Sequence, residues 1–238
     1  MQIYFRWLTL KDILVYYLPM LKISEYFDGK LYPGRTVIEG VTADGKLFMA
    51  YMLQGRSVNS RNRKLVKTAS SIDACPIDES LVQNRDLIIY KALVEDEGHI
   101  WLTNGDQSVS IMNSPSTLEG VMERTYENDG PIFTPRIGTV IRREDLSSEF
   151  FIIKKNGDET ERRIWHYPAI NGVSHIIHTY MEDENLTSFT SSPIMAETPC
   201  DMDACLEELS SMLANDNTVS LLVRIGDEEK IINLKEEA

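Results

Sequence analysis

Apolar runs bounded by turn residues divide the chain into short strands, most of them close enough in sequence to form hairpins. Within residues 31–63, two runs of strand formers flank Ala43-Asp44-Gly45, and an Asp-Gly pair favours the tight reversal of a hairpin. A second hairpin is predicted around Asn156-Gly157, with strands over residues 150–155 and 162–167. Further strands are predicted over residues 86–94, 99–103, 137–141, 174–181 and 219–225.

Two segments have the spacing of helices instead. Ser116-Thr117-Leu118-Glu119 has the capping-box spacing and predicts a helix of about ten residues. Over residues 201–213, leucines recur on one helical face. Many hairpin-linked strands with few helices predict an α+β fold with a largely antiparallel sheet, and the pattern leaves open whether the strands form one sheet or two.

The two ends of the chain differ in composition from the middle. Residues 1–30 begin with an aromatic, apolar stretch that Lys11 and Asp12 interrupt, so it is too short for a membrane span. We expect an extension that packs as an amphipathic helix on the domain or on a partner subunit, or a start site placed upstream of the alternative Met20. Residues 31–226 are expected to form one domain, followed by a charged tail over residues 227–238 that frays.

Composition narrows the classes of partner. The 238 residues are 42% hydrophobic, which is enough for a real core, and the net charge of −13 argues against nucleic acid or an anionic membrane as the main partner. The three cysteines are an odd number without zinc-like spacing, which favours a reducing compartment and predicts a cytoplasmic protein.

Within this acidic chain, residues 45–72 contain no acidic residue but six lysines and arginines. Such a local concentration of positive charge suggests a small anionic ligand. In an extended conformation Asn59, Arg61 and Arg63 would share one face and could bind phosphate or carboxylate. The alternative is a solvated loop whose arginines pair with surface carboxylates, although the interleaved glycine, serine and asparagine favour a ligand.

Other candidate residues are weaker on their own. The loop Asn104-Gly105-Asp106-Gln107 offers an acid and two amides at a predicted strand end, but it could be only a turn. His175 and His178 are three residues apart and would point to opposite faces of a strand, so no metal site is expected. His178 could contact a ligand or simply be satisfied within the sheet.

Five motifs, taken in order, resemble the IMP cyclohydrolase-like family, first associated with archaea and also found as longer bacterial homologues. They are Tyr32-Pro33-Gly34-Arg35, the segments 55–63 and 103–107, Thr134-Pro135-Arg136-Ile137, and the segment 175–180. The resemblance implies a four-layer αββα fold like that of the N-terminal nucleophile hydrolases, without a processed nucleophile. It also implies closure of 5-formamidoimidazole-4-carboxamide ribonucleotide to IMP, with loss of water and without a metal or organic cofactor.

The resemblance also suggests roles for individual residues. Arg35 or Arg136 would stabilise the developing oxyanion, Asp106 would be a base or proton relay, and Tyr32 or Tyr180 would donate a proton. The predicted substrate-binding residues are Arg56, Asn59, Arg61, Arg63, Asn104 and His178. The expected partners are a purine ribonucleotide and further copies of the chain in a homo-oligomer. Two alternatives stay open: a regulatory protein that binds purine nucleotides without cyclohydrolase activity, and a structural protein whose arginines pair across subunits.

Overall fold

The computed structural model of the chain describes residues 20–83, 85–181 and 185–235, with only the backbone of Asp86. These residues form two mostly antiparallel sheets and a few short helices. The first sheet contains β1 (Thr36–Val41), β2 (Leu47–Gln54), β10 (Val173–His178), β11 (Ile194–Glu197), β12 (Thr218–Ile225) and β13 (Glu228–Asn233). Its strand order is β11-β10-β1-β2-β12-β13, so the first hairpin lies at its centre.

The second sheet follows the chain from one edge to the other. It contains β3 (Lys64–Lys67), β4 (Ser71–Cys75), β5 (Tyr90–Glu95), β6 (His99–Thr103), β7 (Arg136–Arg142), β8 (Ser148–Asn156) and β9 (Glu159–Tyr167), in that order. The helices are α1 (Ile23–Phe27), α2 (Val58–Arg61), α3 (Arg85–Ile88), α4 (Gln107–Met112), α5 (Thr117–Glu123), α6 (Met202–Glu208) and α7 (Ser210–Leu213). A 3-10 turn covers Glu79–Leu81.

The two sheets bury one apolar cluster between them, with side chains such as Val37, Tyr51 and Leu222 meeting Leu102 and Ile152. Because successive strand residues point to opposite faces, the central strands also carry apolar side chains on their outer faces. On one outer face, α1, α6 and α7 contribute Ile23, Phe27, Met202, Cys205, Leu209 and Met212 to a second cluster. On the other, α4 and α5 contribute Ile111 and Val121 to a third.

Both predicted hairpins are confirmed. In the first, Thr42 Oγ1 donates to Asp44 Oδ1 at 2.5 Å and closes the turn. In the second, Gly157 has a φ of 61°, the left-handed conformation that a tight hairpin turn needs. The helix predicted after Ser116 is also present, but it covers the seven residues Thr117–Glu123 and not about ten, and Ser116 accepts a hydrogen bond from the Glu119 amide as its cap.

Four local predictions differ from the structure. Arg85–Ile88 is helical, so the strand predicted from residue 86 begins only at Tyr90. The segment 201–213 is two helices that meet at Leu209. Residues 58–61 are helical rather than extended. The prediction of a frayed C-terminal tail is wrong for residues 228–233, because β13 pairs with β12 and its isoleucines pack on the apolar clusters, while residues 236–238 lie outside the described residues.

The predicted N-terminal helix falls largely on residues 1–19, which lie outside the described residues. The part that follows packs on the domain, where Ile23 and Phe27 are 0% and 1% exposed. Among the residues that the structure describes, no helix has the length and apolar composition needed to cross a membrane.

Candidate active site

A cavity of about 270 Å³ lies where the ends of strands from both sheets meet. The segments that form it are the turn before β1, the segment between β2 and β3, helix α3, the segment before β7 and the segment after β10. Its lining residues are Tyr32, Arg35, Arg56, Ser57, Asn59, Ser60, Arg63, Leu87, Ile88, Asp129, Ile132, Thr134, Tyr180 and Leu186.

The turn before β1 is held tightly against the end of β10. Gly34 has a φ of 80°, and a Cβ at this position would lie 2.1 Å from Thr179 Oγ1. The Arg35 amide donates to that same oxygen, and the Tyr180 amide donates to the Pro33 carbonyl at 3.1 Å. Only glycine combines this backbone conformation with such a close approach. As a result, the rings of Tyr32 and Tyr180 stack, with their centroids 5.8 Å apart.

Three arginines bring positive charge into the cavity. Arg63 is 1% exposed, and its Nε and Nη2 donate to the carbonyl oxygens of Ser60 and Gln54. Arg35 has a buried Nε without a hydrogen-bond partner, and the Arg56 guanidinium lies over the Tyr32 ring. Within the described residues, no ion pair joins any of these three arginines to a carboxylate.

The guanidinium groups of Arg35 and Arg63 are close enough to influence each other. Burial lowers the pKa of the Arg63 guanidinium, and the positive charge of Arg35 acts in the same direction. Both groups nevertheless stay charged, because guanidinium does not deprotonate in proteins. Like charges held together without a counter-charge favour the binding of an anion.

Three polar side chains that also line the cavity form a chain of hydrogen bonds. Thr134 Oγ1 lies 2.5 Å from Asp129 Oδ2 and 2.9 Å from the Tyr180 hydroxyl. Asp129 Oδ1 also accepts from the Thr134 amide at 2.7 Å, which fixes the carboxylate in place. Burial raises the pKa of Tyr180, so its phenol is neutral at physiological pH.

A small recess of about 10 Å³ adjoins the cavity, and Arg35, Leu87 and Thr134 line both. A recess of this size has room for about one water molecule. Arg136 and Asn104, both predicted as site residues, line the recess and not the cavity. The Asn104 side chain is occupied there, since its amide donates to the Pro135 carbonyl and its oxygen accepts from the Ile137 amide.

Six of the predicted site residues therefore meet in the cavity: Tyr32, Arg35, Arg56, Asn59, Arg63 and Tyr180. Of these, Asn59 uses both ends of its amide on the backbone of Gln83, at 2.9 and 3.0 Å. Asn59 thus fastens the loop that carries the arginines.

Arg61 does not line the cavity. Its Nε donates to the Gly55 carbonyl at 3.0 Å and its Nη2 to Asn217 Oδ1 at 2.8 Å. The predicted shared face of Asn59, Arg61 and Arg63 is wrong, because α2 replaces the two-residue alternation of a strand. The contacts of Arg61 hold the segment on the domain.

His178 lies beside the site but is satisfied within the protein. Its Nδ1 donates to the Tyr180 carbonyl at 2.8 Å, so its Nε2 accepts from the Tyr26 hydroxyl at 2.5 Å. Burial lowers the pKa of His178 to about 4, so the ring is neutral. Of the two alternatives for His178, this geometry matches the satisfied histidine.

Asp106 lies outside both the cavity and the recess. It forms ion pairs with Arg124 and Arg136 and is 46% exposed. Burial acts to raise its pKa, but hydrogen bonds and charges from the two arginines outweigh it and hold the pKa below the usual range. A carboxylate with a lowered pKa is a poor proton acceptor, and no described contact brings it to the cavity.

Asp129 in the cavity wall was not predicted from the sequence, and Thr134 was noted only as part of a motif and given no role. Asp129 precedes Gly130-Pro131 in a segment without strand or helix periodicity, and only a turn could be expected there. Across the described ranges, no three histidine, cysteine, aspartate or glutamate side chains are placed to hold a metal ion. The expectation of a metal-free site stays a prediction.

Comparisons with known proteins place the chain in a family. A family model described as IMP cyclohydrolase-like protein matches residues 32–230. The matched region contains every described residue that lines the cavity and the recess. A comparison with curated proteins gave no significant match. Since the model covers most of the sequence, the chain belongs to the IMP cyclohydrolase-like family.

Proposed function

We propose that this protein is an IMP cyclohydrolase, which closes 5-formamidoimidazole-4-carboxamide ribonucleotide to IMP with release of water. The observation that carries the proposal is the group of three arginines in one cavity, none of which has a carboxylate partner among the described residues. The family membership supplies the reaction, and the cavity supplies a site of the right charge for a ribonucleotide monophosphate.

Arg63 and Arg56 are the proposed ligands of the ribose phosphate. Two neutral carbonyl oxygens hold the Arg63 guanidinium in position but leave its charge uncompensated. Arg56 is held over the Tyr32 ring. Guanidinium groups bind phosphate through two parallel hydrogen bonds, which fixes the orientation of the nucleotide as well as its affinity.

Orientation matters because both reacting groups belong to one molecule. The carboxamide nitrogen must turn towards the formyl carbon. Holding this geometry can lower the barrier by about 7 kcal/mol when the reacting atoms are well oriented. A phosphate fixed at one end of the cavity leaves rotation of the formamide as the main remaining freedom. No added nucleophile or second substrate is required.

Arg35 is the proposed donor to the formyl oxygen as negative charge develops there. The Arg35 side chain lines the cavity and forms no ion pair with a described carboxylate, so its positive charge is available to the substrate. A preorganised cation in a partly dehydrated cavity stabilises an oxyanion more strongly than water does. Arg136 is less suited to this role, because Asp106 and Glu127 already neutralise it.

We also infer that the two facing sheets, with α1, α6 and α7 outside one and α4 and α5 outside the other, form the four-layer αββα arrangement implied by the family resemblance. The three separate apolar clusters support this inference. A purine ribonucleotide is the proposed ligand, and assembly as a homo-oligomer in the cytoplasm stays a prediction.

The test is a direct assay of ring closure. Purified full-length protein is mixed with 5-formamidoimidazole-4-carboxamide ribonucleotide without added metal or folate, and ultraviolet absorbance and product chromatography report IMP. Enzyme-dependent formation of IMP, lost in an Arg35→Met preparation made in parallel, is the expected result. That parallel preparation controls for contaminating enzymes.

Thermal shift with IMP and AMP separates the alternatives. A nucleotide-dependent increase in melting temperature without turnover would overturn the cyclohydrolase proposal in favour of a nucleotide-binding regulatory protein. No shift and no turnover would leave the arginines with a structural role.

A further inference from the structure

We propose that Tyr180, Thr134 and Asp129 form a proton relay in which Asp129 receives the proton lost by the carboxamide nitrogen during ring closure. This inference rests on the proposed cyclohydrolase function and names the base that the reaction needs. The three side chains line one cavity wall and are joined by hydrogen bonds of 2.5 and 2.9 Å.

The hydrogen bonds have one direction. A carboxylate only accepts, so the Thr134 hydroxyl donates its single proton to Asp129 Oδ2. Thr134 Oγ1 must then accept from the Tyr180 hydroxyl. Tyr180 therefore presents lone pairs, and no proton, to a ligand in the cavity, so it accepts a proton at the attack step and can donate one to the leaving oxygen only when the relay runs in reverse.

An acceptor at Tyr180 matches what the substrate requires first. The carboxamide nitrogen is a very weak nucleophile and must lose a proton as it attacks the formyl carbon. The raised pKa of the buried phenol keeps Tyr180 neutral, so it passes a proton on instead of holding a charge. The Asp129 carboxylate at the end of the relay becomes neutral when it accepts the proton.

The carboxamide nitrogen bonds to the formyl carbon, and its proton moves to the Tyr180 oxygen while the Tyr180 proton moves to Thr134 and the Thr134 proton to Asp129. The formyl oxygen becomes an alkoxide beside Arg35. When the carbon–oxygen bond breaks, the relay returns this proton to the departing oxygen, and the formamide nitrogen supplies the second hydrogen as the new carbon–nitrogen double bond forms. One water molecule leaves, and no oxidant, reductant or metal is consumed.

The experiment compares Thr134→Val with Thr134→Ser and Asp129→Asn. Valine has nearly the shape of threonine but no hydroxyl, so the relay is cut, whereas serine retains it. We expect Thr134→Val and Asp129→Asn each to lower kcat by about 10²–10⁴-fold with KM changed less than about threefold, and serine to recover most of the loss. Thr139→Val is the matched control, since this buried hydroxyl has no hydrogen-bond partner within the described chain.

A second readout separates proton transfer from support of the fold. Wild-type turnover in mixtures of light and heavy water should show a curved dependence of kcat on deuterium content, as expected when several protons move together, and Thr134→Val should lose the curvature. IMP binding by calorimetry establishes that each variant is folded and has an intact pocket.

The relay is overturned if Thr134→Val retains wild-type kcat, or if Thr134→Val and Asp129→Asn change only KM or melting temperature while the wild type is active. Failure of the proposed function has a different signature, because the wild type itself would then form no IMP. That result would overturn the relay together with the cyclohydrolase function.

Discussion

Substitution of Arg35 is the most direct test of the proposed mechanism. Its unpaired charge should not stabilise the fold, whereas the reaction should depend on it. Its buried Nε has no hydrogen-bond partner, and within the described residues its guanidinium forms no ion pair. Arg35→Met keeps the unbranched side chain and its packing but removes the charge. We expect catalysis to be lost while the protein remains at least as stable.

The expected changes in kcat and in the free energy of unfolding follow from these contacts. Loss of one preorganised oxyanion donor lowers kcat by about 10²–10³-fold, equivalent to about 2.7–4 kcal/mol. The folded protein loses no described partner, and removal of an unpaired charge from a poorly hydrated position should leave the free energy of unfolding unchanged or raise it by about 1 kcal/mol.

Arg61→Met is the matched control, since Arg61 lies in the same cationic segment but outside the cavity. Its guanidinium donates to the Gly55 carbonyl and to Asn217 at 3.0 and 2.8 Å. Hydrogen bonds from a charged donor contribute about 1.5–3 kcal/mol each, and allowing for the partial exposure of Arg61 we expect a loss of about 2 kcal/mol in total. Its kcat should stay near the wild-type value.

The assay pairs initial rates of IMP formation with urea unfolding of the same preparations. Opposite outcomes are expected for the two variants. Arg35→Met should lose activity but keep its stability, whereas Arg61→Met should lose stability but keep its activity. If Arg35→Met retained kcat within about threefold, or lost stability as Arg61→Met does, the assignment of Arg35 as an uncompensated oxyanion donor would be refuted.

Three further predictions concern the frame around the site. His178 has a folded pKa of about 4 against 6.5 for a free histidine, so the unfolded chain binds the extra proton and the free energy of unfolding should fall as pH is lowered from 6.5 to 4. This contribution reaches at most about 3 kcal/mol, and unfolding across this window should show a shallower pH dependence in His178→Asn; equal slopes would contradict it. Phe27→Ala should cost about 3–5 kcal/mol in chemical denaturation because the ring is buried, whereas the exposed Leu118→Ala should change stability by less than about 0.5 kcal/mol; similar losses would mean that α1 is not part of the core. Gly34→Ala should lower both melting temperature and nucleotide affinity, since the new methyl would clash with side-chain atoms, while Gly29→Ala has open space and should show only the backbone strain of about 1 kcal/mol; a Gly34→Ala protein that binds IMP normally would count against the close packing of this turn.

The hairpins could be predicted from the sequence because their causes are local. Asp44-Gly45 and Asn156-Gly157 have the backbone preferences of tight turns, and the flanking apolar residues pair in register on both sides. The extended conformation considered for the segment around residue 59 was wrong, and the cause is again local. Ser57 caps a helical turn by accepting from the Ser60 amide, and this local bond competed successfully with the extended conformation.

The C-terminal strand illustrates a tertiary effect on a locally ambiguous segment. Residues 228–233 are charged enough to suggest a solvated tail, but Ile231 and Ile232 find apolar surfaces on the two faces of the sheet. Pairing with β12 then satisfies the backbone of that edge. Partial burial of these two side chains, together with strand pairing, accounts for the order that composition did not suggest.

By itself, the sequence determined the two hairpins, the mixed α and β character and the concentration of positive charge after β2, because turn chemistry, side-chain alternation and charge are properties of neighbouring residues. Only the tertiary structure decided which arginines face the cavity. Arg63 and Arg61 are two residues apart, yet one lines the cavity while the other is used on Gly55 and Asn217. It also brought Thr134 to Tyr180, which lies 46 residues away in sequence. Such partnerships depend on how distant segments dock, and docking is set by burial of the whole core and not by any local pattern.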